Sequence, residues 1–217
     1  MLSYEIFAED FDQYQLHSLP NPGHEEVTKV DSVDRLKLII ESNCSEMLAA
    51  YRQTKKLLYR GLGSNEQVVI TNIRSDRRPV EMYKPTHELL QTAFTEVGLK
   101  ANRSNSIFCS CLQRTANEWG WHTYVIFVKD GWSGTVFVGV KRGYAFNHLA
   151  HGIYDLDSAI EKVKSLRPFV IEGRDALQNV LRVGYEDVLI TGSSYIAIEK
   201  DSSLLDKVLG YDSGFEF

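Results

Sequence analysis

Tyr185-Glu186-Asp187-Val188-Leu189-Ile190 is the stretch of sequence that decides the fold. Two carboxylates stand directly before three aliphatic residues, a pattern that predicts a short buried strand with acidic side chains at its beginning. Two other stretches are strand-like: Leu58-Tyr59-Arg60-Gly61 carries an arginine, and Ser106-Ile107-Phe108-Cys109-Ser110-Cys111 carries a hydroxyl near its end. The sequence therefore offers an arginine, a serine and an acid, each at the edge of a predicted strand.

These three side-chain types together suit a ligand that contains both a phosphate and a reactive sugar. A guanidinium binds phosphate bidentately, a serine positions a sugar or a carboxylate, and an acid stabilises an oxocarbenium-like transition state. NAD contains both chemical groups. Taken singly, each residue has an ordinary interpretation, because strand-end arginines are usually surface ion-pair partners and adjacent acids are usually solvated. The functional interpretation depends on their joint order.

Composition limits the classes of function. The chain has 217 residues, enough for one domain with a full core. Its formal charge is −5 and its pI is about 5.7, which argues against general nucleic-acid binding, because that affinity comes from lysine and arginine. The first twelve residues lack a basic region, and no stretch reaches the ~20 apolar residues of a membrane-spanning helix. We therefore expect an intracellular protein with no signal peptide and no membrane partner.

The cysteines and histidines predict neither disulfides nor a metal site. The chain has three cysteines, Cys44, Cys109 and Cys111. Because an odd number does not suit a disulfide framework, the count favours a reducing compartment. Cys109 and Cys111 share a strand face but have no histidine nearby in the sequence. His148 and His151 lack the glutamate of a metalloprotease motif. We expect no metal cofactor.

Pro20-Asn21-Pro22-Gly23 separates an N-terminal arm, residues 1–24, from a single domain, residues 25–217. Ser32 predicts the N-cap of one long amphipathic helix that ends near Thr54. Turns are expected at residues 129–134 and 191–194, each between two consecutive strands. Further helices are expected over residues 86–97, 113–119, 157–166 and 173–181, and strands over residues 56–61, 68–71, 107–111, 124–128, 135–140, 187–190 and 195–199. The predicted elements are helices at the beginning of the chain and mostly strands later. This order predicts an α+β fold with N-terminal helices and a mixed, mostly antiparallel sheet.

The order of the three stretches resembles that in the mono-ADP-ribosyltransferases of the arginine-serine-glutamate type, a family of many bacterial toxins and phage-encoded enzymes. The resemblance covers about residues 57–198. Leu58-Tyr59-Arg60-Gly61 is similar to the strand whose arginine grips NAD. Phe108-Cys109-Ser110-Cys111-Leu112 keeps the aromatic residue and first serine of the family's Ser-Thr-Ser element, but has cysteine and leucine at its other two positions. The resemblance implies an ADP-ribosyltransferase-like fold, NAD as substrate and no metal.

The same resemblance implies roles for individual residues. Arg60 and Gly61 would bind NAD, and Ser110 would bind NAD and orient the catalytic acid. The family's Glu-x-Glu or Gln-x-Glu element, aligned on the strand at 188–190, places the essential glutamate at Asp187, with Glu186 one residue earlier. Either Asp187 acts with a side chain one methylene shorter, or a β-bulge brings Glu186 into the site. In the family, a Glu or Gln two residues before the catalytic acid selects the acceptor. In this chain that position is occupied by Tyr185 or Gly184, depending on the register.

A second resemblance concerns the basic residues between the first two stretches. Asp76-Arg77-Arg78-Pro79 and Arg103-Ser104-Asn105 are similar to segments of virion-associated phage proteins of this fold. The similarity makes Arg77, Arg78 and Arg103 candidates for binding the phosphates of NAD. Salt bridges that order a loop are the alternative role for each.

Three functions follow as hypotheses. The first is transfer of ADP-ribose from NAD to a side chain of a host protein, with release of nicotinamide, in the host cytoplasm. The second is a catalytically inactive structural or virion-associated protein with the transferase-like fold and with the aromatic C-terminus at residues 211–217 as a partner surface. The third is an NAD glycohydrolase that passes the sugar to water. The partner is accordingly a host protein acceptor or a virion assembly.

Overall fold

The computed structural model describes residues 32–77, 82–138, 149 and 151–210. The predicted α+β class is confirmed for this part of the chain. Its helices are α1 Val33–Asn43, α2 Ser45–Thr54, α3 Lys84–Glu96, α4 Gln113–Asn117, α5 Leu156–Ser165, α6 Gly173–Val183 and α7 Ser203–Leu209. Its strands are β1 Tyr59–Leu62, β2 Val68–Asn72, β3 Ile107–Cys109, β4 His122–Val128, β5 Ser133–Phe137, β6 Pro168–Glu172, β7 Val188–Thr191 and β8 Ser194–Glu199. The predicted N-terminal arm, Arg78, His148 and residues 211–217 lie outside the described residues.

The predicted long N-terminal helix is two helices. Ser32 is the N-cap as expected, because its Oγ accepts the N–H of Arg35 at 3.2 Å. The helix ends at Cys44, whose backbone leaves the helical region at φ −126° and ψ 37°. The carboxylate of Asp130 then caps the new helix by accepting the N–H groups of Ser45 and Glu46, both at 3.0 Å. A cap supplied from 85 residues away is invisible to local sequence patterns.

Replacing Asp130 with alanine should therefore destabilise the protein by about 1–2 kcal/mol, the usual cost of losing a helix N-cap. Three hydrogen bonds are lost, because Asp130 also accepts the hydroxyl of Ser45 at 2.6 Å. Urea unfolding measures the change. Asp201→Ala, at a carboxylate that is 83% exposed and caps no helix, is the control and should change stability by less than about 0.5 kcal/mol. Equal effects of the two substitutions would contradict the capping role.

The described strands form two four-stranded sheets, whereas the sequence predicts one mixed sheet. Sheet I has the order β1-β4-β8-β2, and sheet II has the order β3-β7-β5-β6. Every pairing among the described strands is antiparallel. Consecutive strands change sheet: β4 lies in sheet I and β5 in sheet II, then β7 in sheet II and β8 in sheet I. The predicted turns at residues 129–134 and 191–194 are thus crossings between sheets.

Two described elements, β6 and α7, were not predicted from the sequence. β6 begins with a proline, which has no N–H to donate, and its Phe169 and Val170 are exposed. Both features are those of an edge strand, and they hide the alternating pattern that marks a half-buried strand. The sequence signal for α7 is the N-cap Ser202, whose hydroxyl accepts the N–H of Leu204.

Sheet II is a central layer with hydrophobic clusters on both faces. The larger cluster contains residues of sheet I, of α1, α2 and α6, and of one face of sheet II, including Cys109 and Val188. The smaller cluster joins the other face of sheet II to α3 and α5, and includes Phe94 and Leu189. Phe108, between two residues of the larger cluster, packs against the smaller one. The alternation of side chains along β3 therefore fixes which face each residue of the Ser106–Cys111 stretch presents.

Candidate functional site

The arginine, serine and acid stretches meet where the two sheets touch. Tyr59 and Ser110 form an isolated antiparallel bridge, with N–H···O distances of 2.7 and 2.8 Å in the two directions. Arg60 follows Tyr59 directly. On the other edge of β3, Cys109 pairs with Val188, so continuing the register by one residue sets Ser110 opposite Asp187. The structure thus brings together the backbone positions of Arg60, Ser110 and Asp187.

Beyond the bridge between Tyr59 and Ser110, β3 is contacted by two arginine side chains instead of by the backbone of β1. Arg60 donates from Nη1 to the carbonyl of Phe108 at 2.7 Å, and Arg77 donates from Nη1 to the carbonyl of Ser106 at 3.0 Å. The carbonyls of residues 106, 108 and 110 point to the same edge because they are alternate positions of an extended chain. Tyr59 satisfies the last of them through its backbone, and the two guanidinium groups satisfy the others.

The positive charges of Arg60 and Arg77 have no carboxylate partner within the described part of the chain. Both residues are partly buried, and Nε of Arg60 is buried without a hydrogen-bond partner. Burial lowers the pKa of Arg77 to about 10, and the nearby charge of Arg60 acts in the same direction. Like charges held close together away from water indicate a site for an anion.

Arg103 lies on a closely hydrogen-bonded loop at residues 101–106. Arg77 binds this loop through its backbone N–H, which donates to the carbonyl of Ser104 at 2.9 Å. The hydroxyl of Thr191 donates to the carbonyl of Asn105 at 2.6 Å. The charge of Arg103 contributes to lowering the pKa of Arg77 and of His87, although burial is the larger cause for both. The loop therefore holds a third cation near the first two.

The two adjacent acids have different surroundings. Cys111 donates its N–H to the carbonyl of Tyr185 at 2.9 Å, although continuing the β3–β7 register would pair it with Glu186. Two residues thus oppose one, which is the arrangement of a β-bulge. The bulge directs Glu186 to the guanidinium of Arg114 on α4, at 3.2 Å. Asp187 is buried, with 5% of its surface exposed.

Ser110 is fully buried, and its hydroxyl oxygen accepts the N–H of Leu112 at 3.0 Å. Its hydroxyl proton remains available for donation, because accepting a hydrogen bond uses only a lone pair. A ligand in the site can reach Ser110 only through a neighbouring group or after a local movement. Along the backbone, Ser110 lies opposite Asp187.

Gly61, a predicted NAD-binding residue, has a packing role in the structure. A Cβ atom at this position would lie 2.4 Å from the carbonyl oxygen of Ala116 and 2.5 Å from the nitrogen of Gly120. Both atoms belong to backbone that cannot rotate away. Close packing of β1 against the end of α4 and the residues that follow it is enough to require glycine here.

Gly61→Ala is accordingly expected to destabilise the protein by about 3 kcal/mol, the upper part of the usual range for overpacking. Gly63→Ala is the matched control, since a Cβ there meets nothing within 4 Å. Thermal unfolding of both variants measures the difference. If Gly61→Ala has the stability of the wild type but loses NAD binding, the glycine serves the ligand and the packing role is wrong.

The cysteines contribute no reactive group to this site. Cys44, Cys109 and Cys111 are all free and buried. Burial raises the pKa of each thiol to about 12. Among the residues that the structure describes, no three histidine, cysteine, aspartate or glutamate side chains cluster as metal ligands would.

Two surface clefts lie elsewhere on the described structure, and neither is lined by Arg60, Arg77, Ser110 or Asp187. One, of about 270 Å³, contains the exposed Trp121 and a hydrogen-bonded pair, His122 and Glu199, at 3.0 Å. The other, of about 490 Å³, lies between the end of α3 and α5. The sequence signalled neither cleft, and it also missed Arg114, because nothing local relates that residue to Glu186.

Comparisons of the chain with protein-family models, with curated proteins and with solved structures gave no match. Within the described residues, no helix combines the length and the apolar character needed to cross a bilayer.

Proposed function

We propose that this chain has an ADP-ribosyltransferase-like fold and transfers ADP-ribose from NAD to a side chain of a host protein, releasing nicotinamide. The observation that carries the proposal is the junction of the two sheets, where the backbones of Arg60, Ser110 and Asp187 come together and where Arg60 has no carboxylate partner among the described residues. Their order along the chain and their meeting in space are independent facts. NAD supplies an anion for the arginines and a sugar for the acid.

Each residue has a role that its surroundings support. Arg60 would bind the phosphate on the nicotinamide side, because its remaining N–H groups are free of carboxylates in the described structure. Asp187 would stabilise the positive charge that develops on the ribose as nicotinamide leaves. Ser110 would orient that carboxylate. Glu186 is the alternative acid, and its ion pair with Arg114 must open for it to act.

Labelled NAD tests this function directly. The full chain is incubated with NAD carrying label in the adenylate part, with and without a host lysate. We expect labelled host protein together with free nicotinamide. Absence of both products, under conditions where NAD binding is measured, would overturn the catalytic proposal. Nicotinamide and free ADP-ribose without labelled protein would assign the chain to the NAD glycohydrolases.

One observation favours a second candidate, a structural or virion-associated protein that keeps this fold without catalysis. Ser110 is fully buried, Asp187 is nearly so, and Glu186 is held by Arg114. A site closed in this way can be maintained for packing alone. Co-purification of the chain with virions, together with no NAD turnover, would support this candidate.

A further inference from the structure

Trp121 is an exposed aromatic side chain on a fixed piece of backbone. Its exposed fraction is 69%. Gly120, the residue before it, packs so closely on β1 that a Cβ atom there would lie 2.5 Å from the nitrogen of Leu62. His122, the residue after it, begins β4 and pairs with Leu62 in sheet I. An indole that is held in place and yet left in water is typical of a binding surface, where it offers a large contact area at little entropic cost.

The cleft of about 270 Å³ beside Trp121 is lined by polar side chains that bind one another. His122 donates from Nδ1 to Glu199 at 3.0 Å, since a carboxylate can only accept, and Nε2 of the neutral ring is then an acceptor. Thr123 donates its hydroxyl to Oδ1 of Asn117, which leaves the amide N–H groups of Asn117 as donors. The lining therefore presents fixed donors and acceptors next to one aromatic ring.

The lining excludes most classes of ligand. Within the described residues, two carboxylates line the cleft and no lysine or arginine does, so an anion would be repelled. An apolar ligand would leave these polar groups without hydrogen bonds. A cation would compete with the partners that the carboxylates already have, His122 for Glu199 and Lys200, at 2.8 Å, for Asp201. A neutral ligand rich in hydroxyl groups avoids all three costs, because each hydroxyl both donates and accepts.

We propose that this cleft binds a neutral hexopyranose, with one face of the sugar ring stacked on the indole of Trp121. The C–H groups on that face carry partial positive charge and meet the negative face of the aromatic ring. The sugar hydroxyls would donate to Glu199 and accept from the amide of Asn117. The volume is just below the range for drug-sized ligands, which suits a single ring. The site shares no residue with the junction of the sheets and does not rest on the proposed function.

NMR titration of the full chain with methyl β-D-glucopyranoside and with methyl β-D-galactopyranoside tests the proposal. For a ligand of this size we expect a Kd of about 1 mM for at least one of the two sugars. The indole N–H resonance of Trp121 should shift, and saturation of the protein should transfer to the protons of one face of the sugar. The chain has three tryptophans, and the spectrum of Trp121→Phe identifies this resonance by its loss. Glucose 6-phosphate, which adds an anionic group to the same ring, should bind at least about 5-fold more weakly than the glucoside.

Variants of the lining residues test the assigned contacts. Trp121→Ala should lower the affinity for the sugar by about 10-fold or more, and Trp121→Phe should retain part of it, because a smaller ring still stacks. Since the side chain is largely exposed, Trp121→Ala should unfold at the same urea concentration as the wild type. Glu199→Gln should weaken binding by about 5- to 10-fold through loss of a charged acceptor. Tyr154→Ala removes another aromatic side chain, 87% exposed and outside the cleft, and should change the affinity by less than about 2-fold.

Three results would overturn the proposal. The first is no shift of the Trp121 resonance by either sugar at about 20 mM, which is well above the expected Kd. The second is an unchanged affinity in a folded Trp121→Ala variant. The third is tighter binding of N-acetylarginine amide than of both the sugars and N-acetylcitrulline amide, its neutral analogue, which would make the cleft a site for a cation. Release of nicotinamide enters none of these measurements, so failure of the sugar site and failure of the proposed function are distinguishable.

Discussion

Replacing Arg60 with alanine is expected to lower kcat/KM for nicotinamide release by about 10- to 10²-fold, the loss that corresponds to about 1.5–3 kcal/mol for a hydrogen bond to a charged group. The guanidinium lies beside the junction of the sheets and holds the carbonyl of Phe108. It would bind NAD equally in the ground state and in the transition state, so most of the loss should be an increase in KM. Initial rates of nicotinamide release over a range of NAD concentrations measure both constants.

Two controls separate this effect from a loss of structure. Arg60→Ala leaves the carbonyl of Phe108 without its donor, which costs about 1–3 kcal/mol, so the variant must be shown to be folded at the assay temperature. Arg52→Ala removes an arginine that is 62% exposed and paired with Glu41, and it should leave both kinetic constants unchanged. A folded Arg60→Ala variant with wild-type kcat/KM would remove Arg60 from the site.

The sequence predicted the elements of this fold better than their arrangement. Ser32 and the apolar spacing after it indicated a helix, because caps and periodicity are local signals. The break at Cys44 depends on Asp130, which no local pattern connects to it. In the same way, the strands on either side of residues 129–134 were predicted, but their separation into two sheets depends on pairing with distant strands.

For the candidate site too, the residues could be predicted from the sequence but their tertiary contacts could not. The order of Arg60, Ser110 and Asp187 is readable in the sequence, and the structure brings their backbones together at the bridge between Tyr59 and Ser110. The carbonyl edge that anchors Arg60 and Arg77 is not readable, because it exists only where β1 diverges from β3. The pairing of Glu186 with Arg114 is equally a product of tertiary structure.

Asp187→Asn should lower kcat for nicotinamide release by about 10³-fold, while the affinity for NAD changes only a few-fold. The amide has the shape of the carboxylate but cannot stabilise positive charge on the ribose. Glu186→Gln should lower kcat by less than about 10-fold, because this side chain is directed to Arg114 on α4. Single-turnover kinetics at saturating NAD separate these effects from changes in binding.

The comparison of the two acids is informative because their positions follow from the backbone. The bulge places one additional residue between the pairs Cys109–Val188 and Cys111–Tyr185, so both carboxylates lie opposite Ser110 along the backbone and only their side-chain surroundings distinguish them: Glu186 is paired with Arg114 and Asp187 is buried. If Glu186→Gln is the damaging change, the ion pair with Arg114 opens in the NAD complex, and Arg114→Ala should then raise kcat by releasing the acid. If neither substitution affects a measurable rate, the carboxylates serve the fold, and the junction of the sheets is a binding site without chemistry.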